Sequence, residues 1–90
     1  MSVIDPVAFF CELAAIPSPP GRERAAMDRV IVELRAIGLD PAEDDAAARI
    51  DGDTGNVLAR IEATGPGVPI AFCCHIDTVP QTAPIIPVIG

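Results

Sequence analysis

Residues 70–80 read IAFCCHIDTVP, and the interpretation of the whole sequence depends on this stretch. Positions 70–76 are apolar except for His75, which predicts a strand that is covered on both faces. Open α/β sheets bind their ligands beyond the carboxyl ends of such strands, where His75 and Asp77 stand. Residues two apart on an extended chain project to the same side, so these two side chains are expected to converge on one site.

Two helices are predicted ahead of this strand. Asp5 can accept hydrogen bonds from the free N–H groups of a first helix over residues 6–15, and Pro17 stops that helix. The junction PSPPG at positions 17–21 is stiff, because its prolines fix their φ angles. A second helix is predicted over residues 22–37, because its apolar side chains recur at helical spacing. This stripe consists of Met27, Val30, Ile31, Leu34 and Ile37.

Weaker strand patterns lie between the second helix and the stretch at 70–76. A short edge strand is predicted around residues 42–45, and a mostly half-buried strand over residues 56–63. The order of elements predicts an α/β fold, in which two N-terminal helices are followed by about three strands of a mixed sheet between helices. No repeat or linker divides the sequence, so residues 1–90 are predicted to be part of one domain, without a second domain.

The composition argues against several functional classes. Six basic residues face thirteen acidic ones, and the net charge of −7 argues against binding of nucleic acid or an anionic membrane. No apolar run reaches the ~18 residues of a membrane span, and the N-terminus lacks the pattern of a signal peptide, so a cytoplasmic protein is expected. Three cysteines, two of them adjacent, make a poor disulfide framework, and reduced thiols are expected.

His75 and Asp77 carry the chemistry that the sequence suggests. An imidazole that binds a metal through one nitrogen commonly donates its other N–H to a carboxylate, which fixes the ring and strengthens it as a ligand. The triplet by itself is weak evidence, because a single histidine near a strand end is more often a packed or partly exposed residue than a ligand.

Three motifs in order resemble the co-catalytic di-zinc exopeptidases, a family that includes aminoacylases, acetylornithine deacetylases and tripeptide aminopeptidases. CHIDTVP at positions 74–80 resembles the family's S/A-H-x-D-T/V-V-P motif. IPSPPGRE at 16–23 resembles its I-P-S-x-x-G-x-E junction, and GNVLA at 55–59 resembles its G-N-V/L-I/L-A strand. The acidic residues 43–45, followed by GDTGN at 52–56, resemble the peptidase T-like branch in particular.

The resemblance, which covers about residues 5–82, implies a function. His75 would bind one of two zinc ions, and Asp77 would be the carboxylate of the catalytic site that orients His75. The family hydrolyses peptide or amide bonds with a water that bridges the two metals. The implied enzyme is a zinc-dependent tripeptide aminopeptidase acting on small peptides, with these residues as the N-terminal part of its catalytic domain. One histidine and one aspartate are too few to hold a catalytic zinc, so the chain is expected to be inactive alone.

Other interpretations stay open. The chain could be a non-catalytic α/β module without metal, stable alone or through self-association, or a fragment of a related amide deacylase. Cys73 and Cys74 beside His75 could form a thiol nucleophile with its base or a soft zinc site, although a cysteine packed as a small apolar residue is far commoner. The acidic residues 43–53 could bind a hard cation, but they lack the spacing of a calcium loop, and a solvated edge is expected.

Overall fold

The computed structural model describes residues 4–80 and 83–90. The elements in chain order are α1 (Pro6–Ala15), α2 (Arg24–Ala36), β1 (Ala42–Glu43), α3 (Ala47–Ile50) and β2 (Val57–Leu58). The two strands pair antiparallel, with Ala42 opposite Leu58 and Glu43 opposite Val57. Helices combined with a small sheet confirm the predicted α/β class, whereas α3 was not predicted from the sequence.

The first helix has the bounds that the sequence predicts. Asp5 Oδ1 accepts hydrogen bonds from the backbone N–H groups of Val7 at 3.0 Å and Ala8 at 3.2 Å, so the carboxylate caps the helix. Pro6 occupies the first helical position, where its missing N–H costs nothing. The helix ends at Ala15, and the next residue, Ile16, is extended because Pro17 follows it.

The second helix begins two residues later than predicted. Arg22 instead belongs to a turn, in which its backbone N–H donates to the Pro19 carbonyl at 2.9 Å. At the other end, Gly38 takes a φ of +92°, and the Leu39 N–H donates to the Leu34 carbonyl at 3.0 Å. This left-handed residue with its long hydrogen bond is a Schellman closure, for which glycine is the favoured residue.

Arg29 joins the two helices. Its Nε donates to Glu12 Oε2 of α1 at 2.7 Å, and its Nη1 donates to Glu33 Oε2 of α2 at 2.9 Å. The guanidinium carbon also lies 5.0 Å from the centre of the Phe9 ring. These contacts raise the pKa of Arg29, with the hydrogen bond to Glu12 as the main cause. The arginine therefore stays charged while it bridges α1 and α2.

The apolar core of the described residues is small. Among them, the buried apolar side chains are Ala26 and Met27 of α2, which are 2% and 9% exposed. The accessible surface is 7219 Å², against about 5,000 Å² for a compact globule of this mass. The Cα radius of gyration is 14.9 Å, where a compact domain of this length has about 12 Å. Much of the apolar surface thus remains in contact with solvent.

The predicted strand at residues 70–76 is wrong, because this stretch has no regular secondary structure. Ile70 is 80% exposed and Phe72 is 91% exposed, so the expected burial on both faces is also wrong. A strand covered on both faces needs pairing neighbours and helices on either side. In the described residues, the helices and strands all precede residue 59, so none of them follows this stretch. The predicted strand at 56–63 is likewise reduced to Val57–Leu58.

Candidate metal-binding site

The structure brings His75 and Asp77 into contact, as the sequence predicts. The Nδ1 atom of His75 lies 3.0 Å from Asp77 Oδ1 and 2.8 Å from the Asp77 backbone oxygen. The side chain of His75 is 84% exposed, and that of Asp77 is 41% exposed. The pair thus lies on the surface, on an irregular segment and not at the end of a strand.

The partners of Nδ1 fix which ring nitrogen carries the proton. A backbone carbonyl oxygen can only accept a hydrogen bond, so Nδ1 of His75 must be the donor toward Asp77. In the neutral ring, Nε2 then keeps its lone pair and points away from the two Asp77 oxygens. This is the arrangement in which an imidazole can bind a metal through Nε2 while a carboxylate orients the ring.

The segment that carries Asp77 is attached to the junction between α1 and α2. The backbone N–H of Thr78 donates to the Ser18 carbonyl at 2.7 Å, and the Ser18 hydroxyl donates to the Ile76 carbonyl at 2.9 Å. Ser18 is 2% exposed, although it is a polar residue in an irregular stretch. The motif at 16–23 and the motif at 74–80, which are far apart in sequence, are therefore in direct contact.

The donor set fits one position of a zinc site and no more. Zinc accepts imidazole nitrogen readily, and a catalytic zinc takes about three protein ligands. Within residues 4–80 and 83–90, no group of three or more histidine, cysteine, aspartate or glutamate side chains could hold a metal ion. His75 can thus serve as one ligand, and any further ligands would have to come from elsewhere.

The chain is similar to a curated hydrolase. It is 33% identical over 79 residues to a protein of Thermococcus kodakarensis named provisionally as a LysW-lysine/LysW-ornithine hydrolase. The matched part is 88% of this chain and 20% of the relative, so the chain spans about a fifth of the length of that protein. No family model matches the sequence. No solved structure matches it either.

This match and the sequence motifs both indicate a hydrolase. The name of the relative mentions neither a tripeptide nor zinc, so the match does not extend to the peptidase T-like branch. In the described part of the chain, no helix combines the length and the apolar character needed to cross a membrane.

Arg24 of α2 organises the acidic stretch at residues 43–53, which was expected to be a solvated edge. Its two terminal nitrogens each lie 2.8 Å from a carboxylate oxygen of Glu43, and its Nε donates to Asp28 Oδ1 at 2.9 Å. Glu43 Oε2 also accepts the Gly55 N–H at 3.0 Å. The hydrogen bonds from Arg24 first, and from Gly55 second, lower the pKa of Glu43 to about 2. No local pattern in the sequence indicates that α2 supplies this partner.

Lowering the pH should weaken the attachment of β1 to α2. The pKa of Glu43 is about 2 in the folded chain and 4.5 ordinarily, so its contribution to stability is complete above pH 4.5 and is lost toward pH 2. We expect Glu43→Gln to lower the free energy of unfolding by about 1 kcal/mol near neutral pH, since the ion pair is partly exposed. The difference should vanish near pH 2, as measured by urea unfolding. A difference that is constant over this range would contradict the assignment.

The cysteines are more exposed than the sequence predicts. Cys73 and Cys74 are exposed and Cys11 is partly buried, and all three are free thiols. The expectation that Cys73 and Cys74 pack as small apolar residues is therefore wrong. In the described ranges, the hydrogen-bond partner of His75 is Asp77 and not a thiol, so the geometry does not support a cysteine–histidine pair.

An apolar cleft lies beside the segment of Asp77. Its volume is about 320 Å³, and its walls come from the end of α1, from the junction at 17–19 and from the residues that follow Asp77. Thr78 and Ser18 line the cleft and also take part in the hydrogen bonds that hold the segment. The cleft is thus adjacent to the candidate site.

Proposed function

We propose that this chain contributes a metal-binding segment to a zinc-dependent hydrolase of peptide or amide bonds. His75 would bind zinc through Nε2, and Asp77 would orient the ring. The observation that carries the proposal is the contact of His75 Nδ1 with two oxygens of Asp77, at 2.8 and 3.0 Å, which directs the free lone pair to solvent. The similarity to a hydrolase supports the same conclusion.

The residues of this chain would have distinct tasks in that reaction. A bound zinc supplies a nucleophilic water at neutral pH and polarises the carbonyl of the substrate. Asp77 accepts a hydrogen bond from His75 Nδ1–H, so in the neutral ring Nε2 is the nitrogen that carries the lone pair for a metal. The described residues contain no group of three or more side chains that could hold a metal ion, so we propose that the other ligands, including those of a second zinc, belong to sequence outside this chain.

The narrower proposal is a peptidase T-like enzyme that acts on small peptides in the cytoplasm. It is supported by the acidic residues 43–45 and the GDTGN stretch at 52–56. An amide deacylase is the alternative within the same chemistry, and the name of the Thermococcus protein is compatible with it. A panel of tripeptides and N-acylated amino acids would separate these two substrate classes.

The purified 90-residue chain should bind zinc weakly and hydrolyse nothing. Isothermal titration with zinc should show one weak site that His75→Ala removes, because the chain has a single histidine. Cys74→Ser is the matched control, since it changes the neighbouring residue and should leave the binding unchanged. Binding that persists in His75→Ala would refute the assignment of His75. Zinc-dependent peptide cleavage by the chain alone would refute the expected inactivity.

A chimera tests the hydrolase itself. This chain would replace the matching 79 residues of the Thermococcus protein, and hydrolysis of peptide and amide substrates would be followed with and without zinc. We expect His75→Ala to abolish the activity, and Asp77→Asn to lower zinc affinity or activity about 10-fold or more. Cys74→Ser should retain the activity. A chimera that folds and stays active after His75→Ala would refute the proposed function.

A non-catalytic α/β module is the second candidate. It is favoured by the absence of any group of three ligands from the described residues. This candidate predicts that His75→Ala and the unchanged chain give the same titration, without heat from zinc binding. The calorimetric experiment therefore distinguishes the two candidates directly.

A further inference from the structure

We propose that Ser18 is a positioning residue that holds Asp77 against His75. The importance of this role for a reaction rests on the proposed function, but the role itself concerns the geometry of the pair. Ser18 lies in the junction between the two helices, 57 to 59 positions away from these residues in sequence. Its partners are the residues immediately before and after Asp77.

Ser18 makes three contacts with the segment that carries Asp77. Its hydroxyl donates to the Ile76 carbonyl at 2.9 Å, and its own carbonyl accepts the Thr78 N–H at 2.7 Å. The Thr78 hydroxyl lies 3.4 Å from the same Ser18 carbonyl. The backbone on both sides of Asp77 is therefore held by a single residue.

The surroundings of Ser18 make it a firm anchor. Pro17 and Pro19 flank it, so neither neighbour has an N–H group and both have restricted φ angles. The side chain is 2% exposed, so water does not compete readily for its hydroxyl. The junction is itself attached to α1 and α2, which end and begin on either side of it.

The exposure of the chain changes at the point where Ser18 contacts it. Residues 61–75 are all exposed, and the chain becomes partly buried at Ile76 and Asp77, where Ser18 holds it. Both oxygens that accept from His75 Nδ1 belong to Asp77. A change in the backbone at 76–78 therefore moves both acceptors together. Without the hydroxyl of Ser18, we expect the ring to lose its fixed orientation and its preference for a proton on Nδ1.

The tautomer of His75 provides the test. In the ¹⁵N-labelled chain, in alkaline buffer without zinc, long-range ¹H–¹⁵N correlations report which ring nitrogen carries the proton. We expect the protonated nitrogen to be Nδ1 in the unchanged chain. In Ser18→Ala, the two ring nitrogen shifts should move to those of an unstructured histidine peptide, while the helical circular dichroism stays unchanged.

A matched variant separates positioning from a general effect on the fold. Thr78→Val removes the hydroxyl contact at 3.4 Å but keeps the backbone N–H donor, so it should retain the ring shifts of the unchanged chain. Wild-type shifts in Ser18→Ala, or no preference for Nδ1 in the unchanged chain, would overturn the proposal. A loss of helical signal in Ser18→Ala would also overturn it, in favour of a general structural role. Because zinc is absent from this experiment, its outcome is independent of the proposed hydrolase activity.

Discussion

Alanine at position 55 is expected to lower the free energy of unfolding by about 2 kcal/mol, because there is no room for a side chain there. A Cβ atom on Gly55 would lie 2.6 Å from Asp44 Oδ1 and 2.9 Å from the Asp44 carbonyl carbon. The backbone at Asp44, directly after β1, would have to move, since the overlap includes main-chain atoms and not only a flexible side-chain end. The cause is therefore steric.

The surrounding hydrogen bonds prevent an easy relaxation. Asp44 N–H donates to the Asn56 carbonyl at 2.9 Å, and Asp44 Oδ1 accepts the Asn56 N–H at 2.8 Å. Gly55 itself donates to Glu43 Oε2 at 3.0 Å. Movement of residue 55 away from Asp44 would stretch these bonds together. The loss should thus spread over the whole β1–β2 pair.

Gly65→Ala is the matched control for this prediction. A Cβ atom on Gly65 has nothing within 4 Å, so the substitution should change stability by less than about 0.5 kcal/mol. Urea unfolding followed by circular dichroism measures both variants. Equal stabilities for the Gly55→Ala and Gly65→Ala chains would show that Asp44 does not pack against residue 55 as described.

Local signals in the sequence were sufficient for the helices. Asp5, Pro6 and Pro17 set the ends of α1 through contacts within a few residues, and these ends are observed as predicted. Gly38, the residue directly after the predicted second helix, closes α2, although the start of α2 moved by two residues because Arg22 joined a turn. Such signals do not depend on distant packing, which is why a single sequence reveals them.

The prediction of a strand at 70–76 was wrong because a strand, unlike a helix end, depends on distant packing. A run of apolar residues shows that a segment can be buried, but burial requires partners that the run itself does not specify. The pairing of His75 with Asp77 was nevertheless predicted correctly, because a spacing of two residues brings side chains together over a short stretch of chain. Ser18 and Arg24 act across 58 and 19 positions of sequence, and no local pattern indicates such contacts.

Alanine substitutions at the buried Met27 and the exposed Phe72 should differ strongly in their effect on the free energy of unfolding. Met27→Ala should lower the free energy of unfolding by about 2 kcal/mol, because it removes a buried side chain from a small core that has little else to replace it. Phe72→Ala should change stability by less than about 0.5 kcal/mol, because the ring is 91% exposed. Urea unfolding of both variants provides the measurement.

This comparison decides between the predicted strand and the observed structure. A phenylalanine in a strand covered on both faces would cost about 3 kcal/mol or more when replaced by alanine. A loss of that size in Phe72→Ala would therefore support the predicted buried strand and contradict the observed exposure of this segment. Val32→Ala is a suitable control, since Val32 is 58% exposed on α2 and loses little contact. If Phe72 behaves like Val32, the apolar residues that precede His75 contribute little to the stability of this chain, as their exposure indicates.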